Sequence, residues 1–271
     1  MNTSMLPMLE EPLLISSEQI NSFREKGHTL IKGVLNKEEV KAYREAINEA
    51  AYHHNTEKRL LEERDTYGKA FLQIMNLWEA DKKVKQFTLA KRFAKIAAQL
   101  LGVDNVRIYH DQALYKEAGG GFTPWHQDQY YWPLDTNKTV TMWMPLIDID
   151  EDMGMLTFAS GSHNAGFVEN VAISDKSDEV LEKFIKEKGF EISRANTMDA
   201  GDATWHYGWT LHSAGGNKSA VTREVMTVIY FADGTNVTEP QNKHQENDRN
   251  TWLGSILPGE KAASKHNPLV L

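Results

Sequence analysis

Apolar positions recur at helical spacing through the first hundred residues of the chain. Ser16 and Gln19 form a capping-box pattern ahead of the first apolar stripe. Asn36 and Glu39 repeat this pattern ahead of the second stripe, and Gly102 ends the third. The second and third stripes comprise Val40, Tyr43, Ile47, Ala50 and Ala51, and then Phe93, Ile96, Ala97, Leu100 and Leu101. The spacing predicts three helices whose apolar faces must be covered by a sheet or by another helix.

The period of the apolar positions changes to two at Val106, which predicts strands. Five residues of the first strand have the same parity and are expected on one face: Val106, Ile108, His110, Gln112 and Leu114. Further strand-like runs, separated by glycine-rich turns, cover residues 139–145, 155–159, 203–207 and 223–231. The remaining pattern predicts an extended segment over 29–34, a charged helix over 175–188 and a loop over the polar run 241–250.

Helices followed by many short strands predict an α+β fold whose strands form a sandwich or a barrel. The jelly roll, which includes the cupins, is the version of this architecture that often holds a metal ion at its mouth. The 271 residues fit one domain, with a helical part at about 16–101, a jelly-roll core at about 104–235 and a tail at 236–271.

The composition limits both the chemistry and the partners. The chain has no cysteine, which excludes disulfides, thiolate metal sites, iron–sulfur clusters and cysteine nucleophiles. Its formal charge of −8, without a block of Lys or Arg, argues against nucleic-acid and anionic-membrane partners and favours small molecules. The first residues lack targeting patterns, and no apolar run approaches the ~20 residues that span a bilayer, so a cytoplasmic location is expected.

Histidines and carboxylates remain as candidates for the chemistry. His126 and Asp128 are two residues apart, so they share one face of an extended segment and could bind one divalent metal ion. His244 and Glu246 have the same spacing, but they lie in the polar run and are expected on the solvated surface. His212 completes a set of two histidines and one carboxylate, which is the ligand pattern of non-haem Fe(II) oxygenases.

Arg223 follows His212 by eleven residues on a strand-like run. Its planar guanidinium can bind a carboxylate through two hydrogen bonds, so beside a metal site it is expected to anchor the distal carboxylate of 2-oxoglutarate. His206 is an alternative second histidine ligand, or a residue that faces the substrate. His163, in a Gly-Ser-His turn, is expected to be structural, and His110 either faces the pocket or is structural.

Four segments, in this order, are similar to the phytanoyl-CoA dioxygenase family of Fe(II)/2-oxoglutarate oxygenases: residues 121–133 (GFTPWHQDQYYWP), 143–146 (WMPL), 161–163 (GSH) and 212–223. The resemblance extends over residues ~17 to ~235. It implies a double-stranded β-helix core, a cupin-like jelly roll with the metal at one end and the N-terminal helices packed on one face.

The resemblance also implies the roles of individual residues. His126, Asp128 and His212 would be the iron ligands, and Arg223 would hold 2-oxoglutarate. Relatives that halogenate replace the carboxylate ligand by a small residue. The presence of Asp128 therefore favours hydroxylation over halogenation.

Two further positions match family contacts to the cosubstrate, and one departs from them. Gln112 would contact 2-oxoglutarate through its amide, and Trp143 would form an aromatic wall beside it. Ala214 stands where some members have a serine that helps to bind the cosubstrate carboxylate. Whether Ser213 replaces that serine is left open by the sequence.

Aromatic residues are dense around the candidate ligands. The residues expected near the substrate are Trp125, Tyr130, Tyr131, His206 and Trp209. An aromatic wall suits a hydrophobic or ring-containing substrate, or a cation held by ring faces. No basic cluster stands near these motifs to bind the phosphates of CoA, so phytanoyl-CoA itself is not implied. Residues 164–190 are the candidate lid.

The sequence thus predicts an oxygenase that uses Fe(II), 2-oxoglutarate and O₂ to hydroxylate, or otherwise oxidise, a C–H bond of a small organic molecule, releasing succinate and CO₂. Two alternatives remain open. A cupin-like Zn or Ni hydrolase or isomerase would use the three ligands without 2-oxoglutarate and would not need Arg223. A non-catalytic cupin-type binding module would keep the fold without requiring His126 and Asp128 to meet His212.

Overall fold

The computed structural model describes residues 6–271. Its helices are α1 (Ser17–Lys26), α2 (Lys37–His54), α3 (Thr66–Ala70), α4 (Leu77–Ala80), α5 (Lys82–Thr88), α6 (Lys91–Leu101), α7 (Asp175–Lys188) and α8 (Lys243–Thr251). Its strands are β1 (His28–Ile31), β2 (Leu72–Met75), β3 (Val106–Lys116), β4 (Thr123–His126), β5 (Thr139–Pro145), β6 (Ile149–Asp150), β7 (Leu156–Ala159), β8 (Ile192–Arg194), β9 (Thr197–Met198), β10 (Ala203–Tyr207), β11 (His212–Ala214) and β12 (Arg223–Ala232).

Two antiparallel sheets form the core. The larger sheet has the strand order β1-β10-β5-β12-β3-β2, and the smaller has the order β4-β11-β7-β8, while β6 and β9 pair separately. Strands of both sheets contribute side chains to one cavity. This arrangement agrees with the predicted α+β fold built on a jelly roll.

The N-terminal helices cover the outer face of the larger sheet, as predicted. Both capping boxes form at the starts of α1 and α2, and Gly102 ends α6 in the left-handed conformation, at φ 66°. Ile47 of α2 and Phe93 of α6 are fully buried in one cluster with Trp205 and Val228 of the sheet. The helices therefore seal one face of the sheet and leave the other face free to line the cavity.

The strand β3 differs from its prediction, because its five residues of equal parity do not share one face. Between the pairs Ile108–Tyr230 and Asp111–Val228, β3 has one residue more than β12, which is a β-bulge. Residues 106 and 108 consequently pack beneath the helices. Residues 110, 112 and 114, beyond the bulge, line the cavity.

The loop predicted over 241–250 is also wrong, since this segment contains α8. Asn242 caps the helix by accepting hydrogen bonds from the backbone N–H groups of His244 and Gln245 at 2.9 Å each. Only Gln245 and Asp248 of this helix are buried, so the apolar periodicity that identifies a helix in a sequence is absent.

The C-terminal segment 236–271 packs onto the jelly roll. Val237, Leu253 and Ala262 are buried in one cluster with Tyr109 of β3 and Phe231 of β12. Within residues 6–271, no helix is long and apolar enough to cross a membrane.

Candidate metal centre

Three side chains with metal-ligating atoms meet in the cavity between the two sheets. His126 is the last residue of β4, and Asp128 begins the short 3-10 turn that follows. His212 is the first residue of β11 and pairs directly with His126 in the antiparallel register. Both Nε2 atoms lie 3.6 Å from Asp128 Oδ1, and one ligand atom of each residue lies within 4.8 Å of the others. The structure thus brings together the three predicted ligands.

Backbone carbonyls fix the orientation of the two imidazoles. His126 Nδ1 lies 2.8 Å from the carbonyl oxygen of Pro124, and His212 Nδ1 lies 2.9 Å from that of Thr210. Because a carbonyl only accepts, we assign the ring proton to Nδ1, which leaves the Nε2 lone pair free for a metal ion. Burial, and then the neighbouring His126, lower the pKa of His212 well below its usual value, so the ring is neutral as a ligand requires.

Protein donors hold the second oxygen of Asp128. Thr141 Oγ1 donates to Oδ2 at 2.9 Å, and His206 Nε2 lies 3.3 Å from the same oxygen. Burial acts to raise the pKa of Asp128, but the electrostatic influence of His212 and the contacts with His126 and His206 outweigh it and hold the pKa well below its usual value. The carboxylate is therefore ionised, with Oδ1 directed at the two imidazoles.

His206, the alternative second ligand, lies outside the group that could hold the metal ion. It lines the cavity from β10 with 1% of its surface exposed, and its Nδ1 has no hydrogen-bond partner within residues 6–271. Its Nε2 points at the outer oxygen of Asp128 instead of at the space between the three ligand atoms. The histidine is placed to orient the carboxylate.

Arg223 begins β12 and is buried in the cavity wall, with 2% of its surface exposed. Its Nη1 donates to the carbonyl oxygen of Gly154, and its Cζ lies 5.1 Å from the centre of the Trp143 ring. Its Nε has no hydrogen-bond partner in the described part of the chain. Burial lowers the pKa of Arg223 to about 9. No acidic side chain among residues 6–271 forms an ion pair with it. The guanidinium is therefore available to a carboxylate ligand.

A second basic side chain, which the sequence did not single out, lies opposite Arg223. Lys116 of β3 pairs with Arg223 in the register, is fully buried, and donates to the carbonyl oxygen of Gly121 and, at 3.3 Å, to Thr123 Oγ1. Burial, and then the charge of Arg223, lower the pKa of Lys116 to about 6. An anion bound beside the two groups would favour their protonated forms.

The other positions predicted near the cosubstrate lie in the same cavity. Gln112 and Trp143 line it together with Arg223. Ala214 also lines it, whereas Ser213 belongs to the opposite parity of β11. Ser213 therefore does not take the place of the serine found in some relatives.

The cavity has a volume of about 320 Å³. Of the residues predicted near the substrate, Tyr131 and His206 line it, whereas Trp125, Tyr130 and Trp209 lie outside. Trp125 directly precedes a ligand on β4 and, by alternation, packs on the other side against the cluster beneath α7. Strand alternation therefore explains why Trp125, next to a ligand in the sequence, lies outside the cavity.

Two segments that the sequence did not indicate complete the cavity: residues 66–75, which include α3 and β2, and residues 243–252, which include α8. Their lining side chains are Tyr67, Phe71, Gln73, Met75, His244, Asn247, Asp248 and Trp252. The ring of His244 lies 5.4 Å from that of Tyr131, so its predicted place on the solvated surface is wrong, although Glu246 is exposed. Residues 244, 248 and 252 are spaced by four, so they share one face of a helix. This spacing was the sequence signal that could have identified α8 as a wall of the cavity.

His163 is structural, as predicted, but it bonds to α1 instead of its own turn. Its Nε2 lies 3.1 Å from the carbonyl oxygen of Arg24, and its ring stacks on Tyr207 at 5.1 Å.

The candidate lid, residues 164–190, is fastened to β4. Ser177 Oγ donates to the carbonyl oxygen of Trp125, and the N–H of Trp125 donates to Asp178, at 3.0 and 2.9 Å. Ile173 is the side chain of this segment that lines the cavity. The segment is therefore attached to β4 at the first turn of α7 and contributes Ile173 to the cavity wall.

Known proteins are similar to this chain in sequence and in fold. A family model for phytanoyl-CoA dioxygenase (PhyH) matches residues 23–225. The chain is 23% identical over 235 residues to a probable alpha-ketoglutarate-dependent hypophosphite dioxygenase of Stutzerimonas stutzeri, across 80% of this chain and 78% of that protein. It is 30% identical over 155 residues to an L-proline trans-4-hydroxylase of Streptomyces griseoviridis, across 50% of this chain and 58% of that protein.

A solved structure shows the same fold. The epimerase SnoN from nogalamycin biosynthesis, crystallised with Fe3+, alpha ketoglutarate and nogalamycin RO, has a TM-score of 0.76 at 21% identity, with coverage of 94% of this chain and 98% of that chain. The predicted jelly-roll fold and the predicted family are confirmed. The chain belongs to the phytanoyl-CoA dioxygenase family and is an iron- and 2-oxoglutarate-dependent oxygenase.

Proposed function

We propose that the enzyme hydroxylates a C–H bond of a small organic molecule, with His126, Asp128 and His212 as the Fe(II) ligands and Arg223 as the anchor of 2-oxoglutarate. The observation that carries this proposal is a buried guanidinium without an acidic partner in the same cavity as a two-histidine, one-carboxylate cluster. Once bound, iron and 2-oxoglutarate supply the oxidising chemistry with O₂, with release of succinate and CO₂.

The donor set fits Fe(II). Two neutral imidazole nitrogens and one carboxylate oxygen are ligands that suit this ion, and a set of three leaves coordination positions for the cosubstrate and oxygen. The carbonyls of Pro124 and Thr210 hold the two rings by their Nδ1 atoms, and Thr141 and His206 hold the carboxylate by Oδ2. These contacts preorganise the ligands before the metal binds.

The buried basic groups fit a dicarboxylate. Arg223 Nε is sealed from solvent without a partner, and an unpaired buried donor is costly unless a ligand accepts its hydrogen bond. Lys116, opposite in the register, has a lowered pKa, and an anion bound beside it would favour its protonated form and so a second positive charge. Trp143 lies against the guanidinium and keeps it from swinging toward solvent.

The cavity favours a small substrate. Its volume of about 320 Å³ is at the lower end for ligand pockets and must also hold the cosubstrate. Arg223 is the only Lys or Arg side chain among the described residues that line it, which leaves no group for the phosphates of CoA. The relatives named for hypophosphite and for proline also act on small molecules.

A cytoplasmic location and the absence of nucleic-acid partners stay predictions from the sequence.

An anaerobic titration tests the proposal. Fe(II) and 2-oxoglutarate added to the wild-type protein without O₂ should produce a visible metal-to-ligand charge-transfer band. Replacing the buried cation, in Arg223→Met, should raise the 2-oxoglutarate concentration needed for half of the band by about tenfold to a hundredfold, because one charged hydrogen-bond pair is lost. Fe(II) affinity should change little. The matched control is Arg44→Met, which removes a partly exposed arginine on α2 that pairs with Glu224.

The same titration separates the alternatives. A metal-dependent hydrolase or isomerase would bind the metal ion without forming the band, and a non-catalytic binding module would not need the metal. The ligand assignment is contradicted if Asp128→Ala retains full Fe(II) affinity and full hydroxylation. Equal losses of iron and cosubstrate affinity in Arg223→Met would contradict the role of that residue.

A further inference from the structure

The wall formed by α8 contains a carboxyl group that the proposed function does not use. Asp248 lines the cavity and is 8% exposed. Tyr109 Oη donates to its Oδ2 at 3.0 Å, while its Oδ1 has no hydrogen-bond partner among the described residues. No Lys or Arg of residues 6–271 forms an ion pair with it, and burial raises its pKa to about 7. Burial of a carboxyl group is costly unless both of its oxygens are hydrogen-bonded or paired with a positive charge. Oδ1 of Asp248 is therefore available to a donor on a ligand.

Asp248 and the cosubstrate anchor lie at opposite ends of the cavity. Asp248 bonds to Tyr109, near the start of β3, and Arg223 pairs with Lys116, the last residue of that strand. Tyr109 and Lys116 lie seven residues apart on β3, on either side of Gln112. Gln112 lies between them and also lines the cavity. Asp248 is therefore placed on the side where the substrate would bind, away from 2-oxoglutarate.

Asp248 is the group that can give this half of the cavity a charge, and that charge is negative. Burial lowers the pKa of His110 to about 3, and burial together with Lys243 lowers that of His244, so both imidazoles are neutral near pH 7. Asn247 adds a neutral polar group. Within residues 6–271, no basic side chain lines this half, which complements a cation and disfavours an anion.

Aromatic rings also line this half of the cavity. Trp252 follows Asp248 by four residues, the ring of Tyr131 lies 5.4 Å from that of His244 on the same helix, and Asp248 is close enough to Tyr67 to act on its pKa. Phe71 lines the cavity nearer to Trp143, against whose cluster it packs. The Oη of Tyr131 accepts a hydrogen bond from the N–H of Ile173, so this phenol is already engaged. Aromatic side chains together with one carboxylate are the combination that binds organic ammonium groups.

We propose that Asp248 binds the protonated nitrogen of the substrate, and that the substrate is a small organic amine without an acidic group. This inference rests on the proposed function, since it assigns the substrate of the same site. The amine forms an ion pair with Oδ1, the rings enclose its hydrocarbon part, and the C–H bond to be oxidised lies on the side of His126, Asp128 and His212. Tyr109 holds the carboxyl by its other oxygen and is a positioning residue.

Matched probe pairs test the charge. The anaerobic complex with Fe(II) and 2-oxoglutarate is titrated with cyclohexylamine and cyclohexanol, with tyramine and N-acetyltyramine, and with tryptamine and N-acetyltryptamine. Binding is read from the perturbation of the charge-transfer and ligand-field bands and from calorimetry. At least one cation should bind ten times or more tighter than its neutral partner, and Asp248→Asn should abolish that difference.

Two variants keep the test interpretable. Glu246→Gln removes an exposed carboxylate from the same helix and should retain the preference for the cation. Tyr109→Phe removes the phenol but keeps the charge of Asp248, and it should also retain the preference. The band formed before any probe is added reports the proposed function separately, and it should be intact in Asp248→Asn. The amine proposal is overturned if no cation binds better than its neutral partner while the band forms, or if Asp248→Asn keeps the preference.

Discussion

The orientation of the Asp128 side chain is set by separate contacts to its two carboxylate oxygens. Oδ1 faces the Nε2 atoms of His126 and His212, and Oδ2 is held by Thr141 and His206. An isolated carboxylate would rotate freely and would spend part of its time away from the metal position. The two outer contacts remove this freedom, so they should contribute to metal affinity without touching the metal.

The hydroxyl of Thr141 provides the first prediction at this scale. In Thr141→Val the side-chain volume is nearly kept, but the 2.9 Å hydrogen bond to Asp128 Oδ2 is lost. Fe(II) affinity should fall by about tenfold. The measurement is an anaerobic Fe(II) titration in competition with a chelator. Thr139→Val is the matched control, because Thr139 is a buried residue of the same strand whose hydroxyl donates to Gln129 instead. Equal affinities of the two variants would contradict the role of Thr141.

The buried amine of Lys116 provides a prediction about pH. The pKa of Lys116 is about 6 in the folded protein, against 10.5 for an ordinary lysine. Between these values the unfolded chain binds more protons than the folded one, so this residue makes wild-type stability rise as the pH rises. Lys116→Met lacks the titrating group. Its free energy of unfolding relative to wild type should therefore decrease by up to about 1 kcal/mol for each pH unit between pH 7 and 9.

Urea denaturation of the metal-free protein at pH 7, 8 and 9 measures this difference. Lys218→Met serves as the control, since the Lys218 side chain is 80% exposed and its pairing with Asp152 is weak. Stability curves of wild type and Lys116→Met that run parallel over this pH range would show that Lys116 keeps an ordinary pKa.

At the scale of elements, the turn before β7 positions the cosubstrate anchor. The carbonyl of Gly154 accepts from Arg223, and Gly154 has φ +77°. A Cβ there would lie 2.6 Å from the carbonyl oxygen of Gly215 and 2.8 Å from Lys116 Cδ. Gly154→Ala must therefore displace the turn, and the 2-oxoglutarate concentration needed for half-maximal rate should rise by about tenfold.

Gly189→Ala separates this effect from simple backbone strain. Gly189 ends α7 at φ +68°, and no atom lies within 4 Å of the position of an added Cβ. This variant should lose about 1 kcal/mol of stability and keep its requirement for 2-oxoglutarate. If both variants change that requirement equally, the Gly154 turn does not position Arg223.

Element patterns also explain what the sequence could predict. The capping boxes at α1 and α2 and the strand-like runs of β5 and β12 depend on local chemistry, and each appears where it was expected. The spacing of His126 and Asp128 likewise depends only on a short extended segment. These features could be read because each is determined by residues close together in the chain.

The remaining features depend on contacts between distant residues. The bulge in β3 arises from its pairing with β12, more than one hundred residues later, and it decides which side chains reach the cavity. The helix α8 has few apolar residues, and its buried face exists only because Asp248 and Gln245 meet Tyr109 and Tyr130. Neither signal is present in a single window of the sequence.

At the scale of the whole molecule, the C-terminal segment is attached to the jelly roll by a buried amide. Asn267 is fully buried, and its Nδ2 lies 3.1 to 3.4 Å from the carbonyl oxygens of Ile108, Tyr109 and Trp252. These contacts join the last residues of the chain to β3 and to the end of α8. The segment therefore completes the wall of the cavity and shares its stability with the sheet.

Asn267→Ala tests whether the chain unfolds as one unit. The substitution leaves buried carbonyl groups without a donor and should cost about 2 kcal/mol. Trp252 is the tryptophan of this segment, so its fluorescence is taken as the difference between the protein and its Trp252→Phe variant. If the predicted single domain is correct, the loss should lower the midpoint of one transition that circular dichroism and the Trp252 fluorescence report together. Binding of Fe(II) and 2-oxoglutarate should raise the midpoint temperature of that same transition. Asn250→Ala, an exposed change on α8, is the control. An early fluorescence change ahead of the loss of sheet would instead identify 236–271 as an independent unit, and the α8 wall would then open without unfolding the metal centre.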